Sequence, residues 1–176
     1  MVQSFAEGRL VFEFDDAALC RKFDDMAFYR RQFVNFAGGS KAVDFVCLRE
    51  ATAWLIEVKG YRHNRRQKNM ALVEEVSAKV RDSMVCCVAG FRNGNDPKER
   101  QIFGKVIQAD RFRVVLHLEQ NDHGNRDFPP NVNRANCLQK LKQVLRALNA
   151  HPRVVDQTML LPGMPWTVRN AREGDL

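Results

Sequence analysis

Apolar and polar positions recur along the chain with two periods, and the switch between them marks out the elements. Over residues 9–14, Leu10, Phe12 and Phe14 alternate with Val11 and Glu13, the pattern of a short strand. Asp15-Asp16 ends it. Either aspartate suits the cap of a following helix, in which Leu19, Phe23, Met26, Arg30 and Phe33 recur at three- and four-residue steps up to Gly38-Gly39. Residues 41–48 and 52–59 are rich in Val, Ile, Phe and Trp and are separated by a short polar turn, which predicts an antiparallel hairpin.

After the polar, basic stretch 61–68 a second helix is expected, with Leu72, Val76, Val80, Met84 and Cys87 as its apolar stripe and a stop near Gly90. Glu75 and Lys79 are spaced i,i+4 on it and suit a surface ion pair. A short helical piece at 99–108 leads to a buried strand at 112–118. Pro129-Pro130 lies in a loop, and Leu138, Leu141, Val144, Leu145 and Leu148 mark a last helix. The tail beyond His151 holds Pro152, Pro162 and Pro165 and shows no period. The order strand, helix, strand, strand, helix, strand, helix describes an α/β sandwich with a mixed central sheet flanked by helices. A single domain over 1–150, with a tail over 151–176 packing on or extending it, accounts for the length.

Composition narrows the class. Apolar residues at 45% and charged residues at 28% belong to a chain that folds round a core rather than to a disordered one. Lys+Arg exceed Asp+Glu by 28 to 21, a net charge of +7, which favours a polyanionic partner where the bases cluster. The five cysteines are odd in number, lie in apolar stretches and lack C-x-x-C spacing, so they read as reduced core residues. With no secretory leader pattern and no run of 18 apolar residues, a soluble cytoplasmic protein without a membrane is expected.

Chemistry concentrates in the segment KAVDFVCLREATAWLIEVKGYR, where two carboxylates and a lysine interrupt strands otherwise built to be buried. Charged groups beside Val43, Phe45, Ile56 and Val58 are costly unless paired or metal-bound. Glu57 and Lys59 share one strand face. If Glu50-Ala51 forms a two-residue turn, positions summing to 101 face each other, which sets Asp44 opposite Glu57 on that same face. Two opposed carboxylates repel, and their pKa values rise unless a divalent cation neutralises them. The bland alternative is an Asp44–Lys59 ion pair with Glu57 solvated. Trp54 falls on the opposite face and belongs to the core.

An aspartate followed by Glu57-x-Lys59 at the end of a hydrophobic strand resembles the PD-(D/E)XK nuclease superfamily, with the likeness running over roughly residues 15–118. The resemblance implies a restriction-endonuclease-like core of helix, three strands, helix and strand. It implies magnesium or manganese held by Asp44 and Glu57, with the Val58 carbonyl as a further ligand and Lys59 positioning the attacking water. Val43 stands where the motif has proline. An acid from the first helix is a further family feature, and Asp24 and Asp25 are both candidates for it.

Arg62, His63, Arg65, Arg66 and Lys68 follow the lysine directly and are expected to contact nucleic-acid backbone, with Tyr61 placed to stack on a base or to pack. Lys79 and Arg81 are placed to reach the same cleft. His117 is expected to be structural. The function that follows is a metal-dependent hydrolase cutting phosphodiester bonds, preferably in DNA, with a homodimer compatible with cutting two strands. The alternative is a catalytically inactive nuclease-fold module that binds nucleic acid or a protein partner.

Overall fold

Gly8, at φ 58°, supplies the left-handed turn that folds the first two strands into a hairpin. The computed structural model describes residues 3–62, 71–120, 132–172 and 174–175. Its strands are β1 (Gln3–Glu7), β2 (Leu10–Phe14), β3 (Leu19–Lys22), β4 (Phe45–Arg49), β5 (Thr52–Gly60), β6 (Arg111–Glu119), β7 (Arg153–Val155) and β8 (Trp166–Asn170). Its helices are α1 (Leu72–Asn93), α2 (Pro97–Ile107) and α3 (Arg134–Val144). The fold is α/β with a mixed sheet. Among the described residues, no helix is long and apolar enough to cross a membrane.

Five strands in the order β3-β4-β5-β6-β7 form the central sheet, antiparallel from β3 to β5 and parallel from β5 to β7. Strand alternation sends its two faces into different cores. Val46, Leu48, Ala53, Leu55, Val114, Leu116 and Leu118 pack with α1, α2 and α3, as in Val76, Val80, Phe103 and Leu141. Phe45, Cys47, Ile56 and Val115 pack on the other side against Phe12, Phe14 and Trp166 of a second sheet, ordered β1-β2-β8. Trp54 lies on this second face, edge-to-face with Trp166 at 5.4 Å.

Two expectations need correction. Residues 15–38 are not one helix: Leu19–Lys22 pairs with β4, and only short 3-10 and π turns follow, Phe23–Asp25, Tyr29–Phe33 and Phe36–Gly38. The three- and four-residue spacing is real, but Leu19 and Cys20 gain a strand partner that a helix would forgo. Glu99 of α2 caps the turn from outside, its carboxylate accepting from the Ala27 and Phe28 amides at 2.5 and 2.9 Å. In the tail, β7 joins the edge of the central sheet and β8 pairs with β2. Finally, Cys20 and Cys47 are not separate thiols. The β3–β4 register opposes them with Cα atoms 4.1 Å apart and a disulfide joins them, leaving Cys86, Cys87 and Cys137 free and buried.

Candidate active site

The β4–β5 hairpin sets the geometry. Glu50 takes a φ of 53° in the turn, and the register runs from Arg49↔Thr52 to Phe45↔Ile56, so every pair sums to 101 as the two-residue turn requires. One step further, Asp44 stands opposite Glu57. The carboxylate of Asp44 accepts the Val58 amide at 2.6 Å, while its carbonyl accepts the Phe23 amide at 2.8 Å. The segment leading to it is held by α1, where Ser83 Oγ accepts from the Val43 amide and Asp82 accepts from the Lys41 amide.

Glu57 and Lys59 project together toward α1. Glu57 is fully buried at 0% exposure, and Lys59 Nζ lies 2.5 Å from its Oε1. Helix α1 brings two more charged groups. Lys79 Nζ lies 2.7 Å from the same Glu57 oxygen and 3.5 Å from Asp44 Oδ1, and Glu75, also buried, places its Oε1 3.3 Å from Lys59. The alternative of an Asp44–Lys59 pair with a solvated Glu57 is therefore not what forms.

Among the described residues, three carboxylates and two ammonium groups gather in this pocket, with Glu57 and Glu75 buried. Burial first, and the charge of Asp44 second, push the Glu57 carboxyl up to about 7 despite the opposing pull of Lys79 and Lys59. Burial works against the Lys59 ammonium, but Glu57, Glu75 and Asp44 outweigh it and its pKa is raised. Glu57 Oε2 is buried and accepts no hydrogen bond.

No group of three or more His, Cys, Asp or Glu side chains forms a metal cage among the described residues. What Asp44 and Glu57 offer instead is a pair of hard oxygen donors with positions left for water. That donor set suits magnesium, which binds through one or two carboxylates and keeps several waters. Past the Phe45↔Ile56 rung the β4 ladder ends, so Val58 lies beyond it.

Of the other expected residues, Asp24 and Asp25 are exposed on their 3-10 turn, and among the described residues neither pairs with Asp44 or Glu57. The third acid comes from Glu75 instead. Its position was legible: Glu75 and Lys79 fall between Leu72, Val76 and Val80 on the core-facing side of α1, where a surface pair has no place. Lys79 reaches the site, whereas Arg81 is exposed and pairs with Asp82 at 2.9 Å. Tyr61 packs against the helical core, and the Arg62 guanidinium pairs with Glu119. His63, Arg65, Arg66 and Lys68 lie outside the described residues. His117 is buried on the opposite face, 5.0 Å from the Phe12 ring, with Nε2 2.8 Å from Glu119 Oε1.

No family model and no solved structure matches the chain. Among curated proteins it is similar to a cysteine--tRNA ligase of Neisseria meningitidis, 24% identical over 165 residues covering 77% of this chain and 24% of the ligase. The chain thus spans about a quarter of the length of that relative.

Proposed function

We propose that the protein is a metal-dependent nuclease of the PD-(D/E)XK type, with Asp44 and Glu57 as ligands of magnesium or manganese and Lys59 beside them. The observation that carries this reading is the buried Glu57, set opposite Asp44, with one oxygen held by two lysines and the other unbonded. The oxygen left without a partner is costly to bury unless a donor or a metal ion receives it. The run of three antiparallel strands β3-β4-β5, then α1, and, after the additional α2, β6 parallel to β5, supports a likeness to the three strands, helix and strand of a restriction-endonuclease-like core. The helix that opens that core has no counterpart here. Short turns and β1-β2 take its place.

A bound divalent cation would acidify a water molecule and neutralise charge gathering on a phosphodiester. The chain's own groups do the rest. Glu57 gives up its proton to become a donor, Asp44 is fixed by the Val58 amide, and Lys59 presents a positive charge to the incoming water or the phosphate. Lys79 holds Glu57 from the helix side.

Nucleic acid is the proposed substrate, DNA first. The similarity to part of a ligase named for tRNA makes RNA the second polymer to test. The experiment is incubation of purified protein with supercoiled, linear and single-stranded DNA and with tRNA, in magnesium, manganese or EDTA. Glu57→Ala and Lys59→Ala variants run alongside. Cleavage that EDTA and both substitutions abolish is expected. Nucleic-acid binding without cleavage in any metal, equal in wild type and variants, would replace the reading with a non-catalytic nuclease-fold module.

A further inference from the structure

At the other end of β5, and on the other face of the sheet, three neighbouring strands build a second polar site. Thr52 and Trp54 on β5, Arg111 and Arg113 on β6, and His151 and Arg153 at β7 line one cavity of about 450 Å³. The register explains why they converge. Thr52 pairs with Arg111, Trp54 with Arg113 and Val115 with Arg153, so residues two apart on adjacent parallel strands point the same way and form a grid. The chain at 161–164 covers one side of it.

The grid carries three arginines and a histidine, and among the described residues no carboxylate lines the cavity. Among the described residues, none of Arg111, Arg113 and Arg153 forms an ion pair. Guanidinium groups gathered without a counter-charge repel one another, and a multivalent anion relieves that repulsion while meeting their forked donors in bidentate fashion. Trp54 is half-buried beside them, with Met164 also at the wall, which adds a flat apolar surface to a phosphate-binding one. Base stacking on an aromatic ring next to a phosphate held by arginine is how single strands and nucleotides are gripped. The volume lies within the ordinary range for small-ligand pockets, roughly 300–1,000 Å³.

We infer that this cavity is a nucleotide-binding site, taking the phosphate on Arg111, Arg113 and Arg153 and the base against Trp54. It is separate from the carboxylate–lysine site: five residues along β5 part Trp54 from Lys59, roughly 16 Å of strand, and the two face opposite sides of the sheet. The nucleotide is either free or one unit of a strand passing over the sheet edge, and both share this chemistry.

The test uses the full chain carrying Glu57→Gln, in EDTA, so that neither metal nor cleavage enters and a failure of the nuclease reading leaves the result interpretable. Anisotropy of a fluorescein-labelled 12-nucleotide single strand, with dAMP and inorganic pyrophosphate as competitors, reads the site. The expected result is binding of the strand, displacement by dAMP, and at least tenfold weaker binding in Arg111→Gln/Arg153→Gln. The salt slope should fall by about 1.4, at about 0.7 per lost phosphate contact. Both arginines are exposed, so the double variant should keep its fold. Trp54→Leu should weaken the strand and dAMP about tenfold and leave pyrophosphate unchanged. Displacement by dAMP at the strand's own affinity identifies a free-nucleotide site, and a strand that binds far tighter identifies a polymer track. Absence of binding, binding indifferent to the double arginine substitution, or pyrophosphate matching dAMP with Trp54→Leu silent would each overturn the inference.

Discussion

Asp44 accepts the Val58 amide at 2.6 Å, so a residue just ahead of β4 is bonded across to the strand position next to Glu57. The bond fixes where the Asp44 carboxylate sits, and it can survive loss of charge. Asp44→Asn retains an acceptor for Val58, whereas Asp44→Ala strands a half-buried amide at a cost of about 1–3 kcal/mol. In thermal melts without divalent cation, the asparagine variant is therefore expected to stay close to wild type and the alanine variant to melt lower. An asparagine variant that melts as low as the alanine one would show that the charge, not the bond, positions this residue.

Glu57 makes stability depend on pH in the direction opposite to most carboxylates. Its folded pKa is raised from 4.5 to about 7, so protonation favours the folded chain. Below 4.5 the group is protonated in both states and carries no penalty. As pH rises through 7 the folded state bears the full cost of a buried charge, on the order of 3 kcal/mol. Glu57→Gln should melt above wild type at pH 8 in EDTA, with the advantage vanishing as pH falls toward 4.5. A variant less stable than wild type at pH 8 would contradict this balance.

Cation binding must displace that same proton. Manganese added at 100 times its dissociation constant should stabilise wild type by about 2.7 kcal/mol and should leave Asp44→Asn and Glu57→Gln unaffected. Because the donor has to be ionised, calorimetric affinity is expected to fall about tenfold for each pH unit below about 7 and to level off above it. A pH-independent affinity would remove Glu57 from the ligand set.

Helices α1 and α2 meet through glycine. A Cβ at Gly90 would lie 2.4 Å from the Phe103 ring, which is itself fully buried, and one at Gly104 would lie 2.9 Å from Phe91. The Phe103 ring has no room to retreat without opening the core. Gly90→Ala is expected to cost about 1–3 kcal/mol by chemical denaturation, despite the better helix propensity of alanine. A neutral or stabilising result would mean that α2 can slide.

The hairpin was the most legible part of the molecule because one turn length decides everything that follows. Once Glu50-Ala51 is taken as the turn, parity alone places Asp44, Glu57 and Lys59 together and Trp54 apart. Helix α1 was equally plain from its stripe. Glu75 escaped attention because an i,i+4 Glu–Lys pair usually marks a surface, although its place inside the stripe spoke for burial. Residues 15–38 misled because Leu19, Phe23, Met26 and Phe33 match a helical period, while the partner that draws Leu19–Lys22 into a strand lies well down the chain, from Lys22↔Phe45 to Leu19↔Leu48. Strand β7 spans only three residues, too few to show a period, QSFAE of β1 offers no apolar alternation, and β8 finds its partner β2 at the far end of the chain.

The second sheet makes this last point physical. Strand β2 takes β1 on one edge and β8 on the other, and Arg169 reaches back to Glu13 across 156 positions of sequence. On the ribosome, at about 5–20 residues per second, β2 therefore waits roughly 8–30 seconds for residue 170 to emerge before its second edge is covered. Until then Phe12 and Phe14 lack the Trp166 strand beside them. Such long-range closure slows folding and lengthens the time in which an open strand edge is presented to other chains. A nascent chain stalled before residue 166 is the form of this protein with most need of a chaperone.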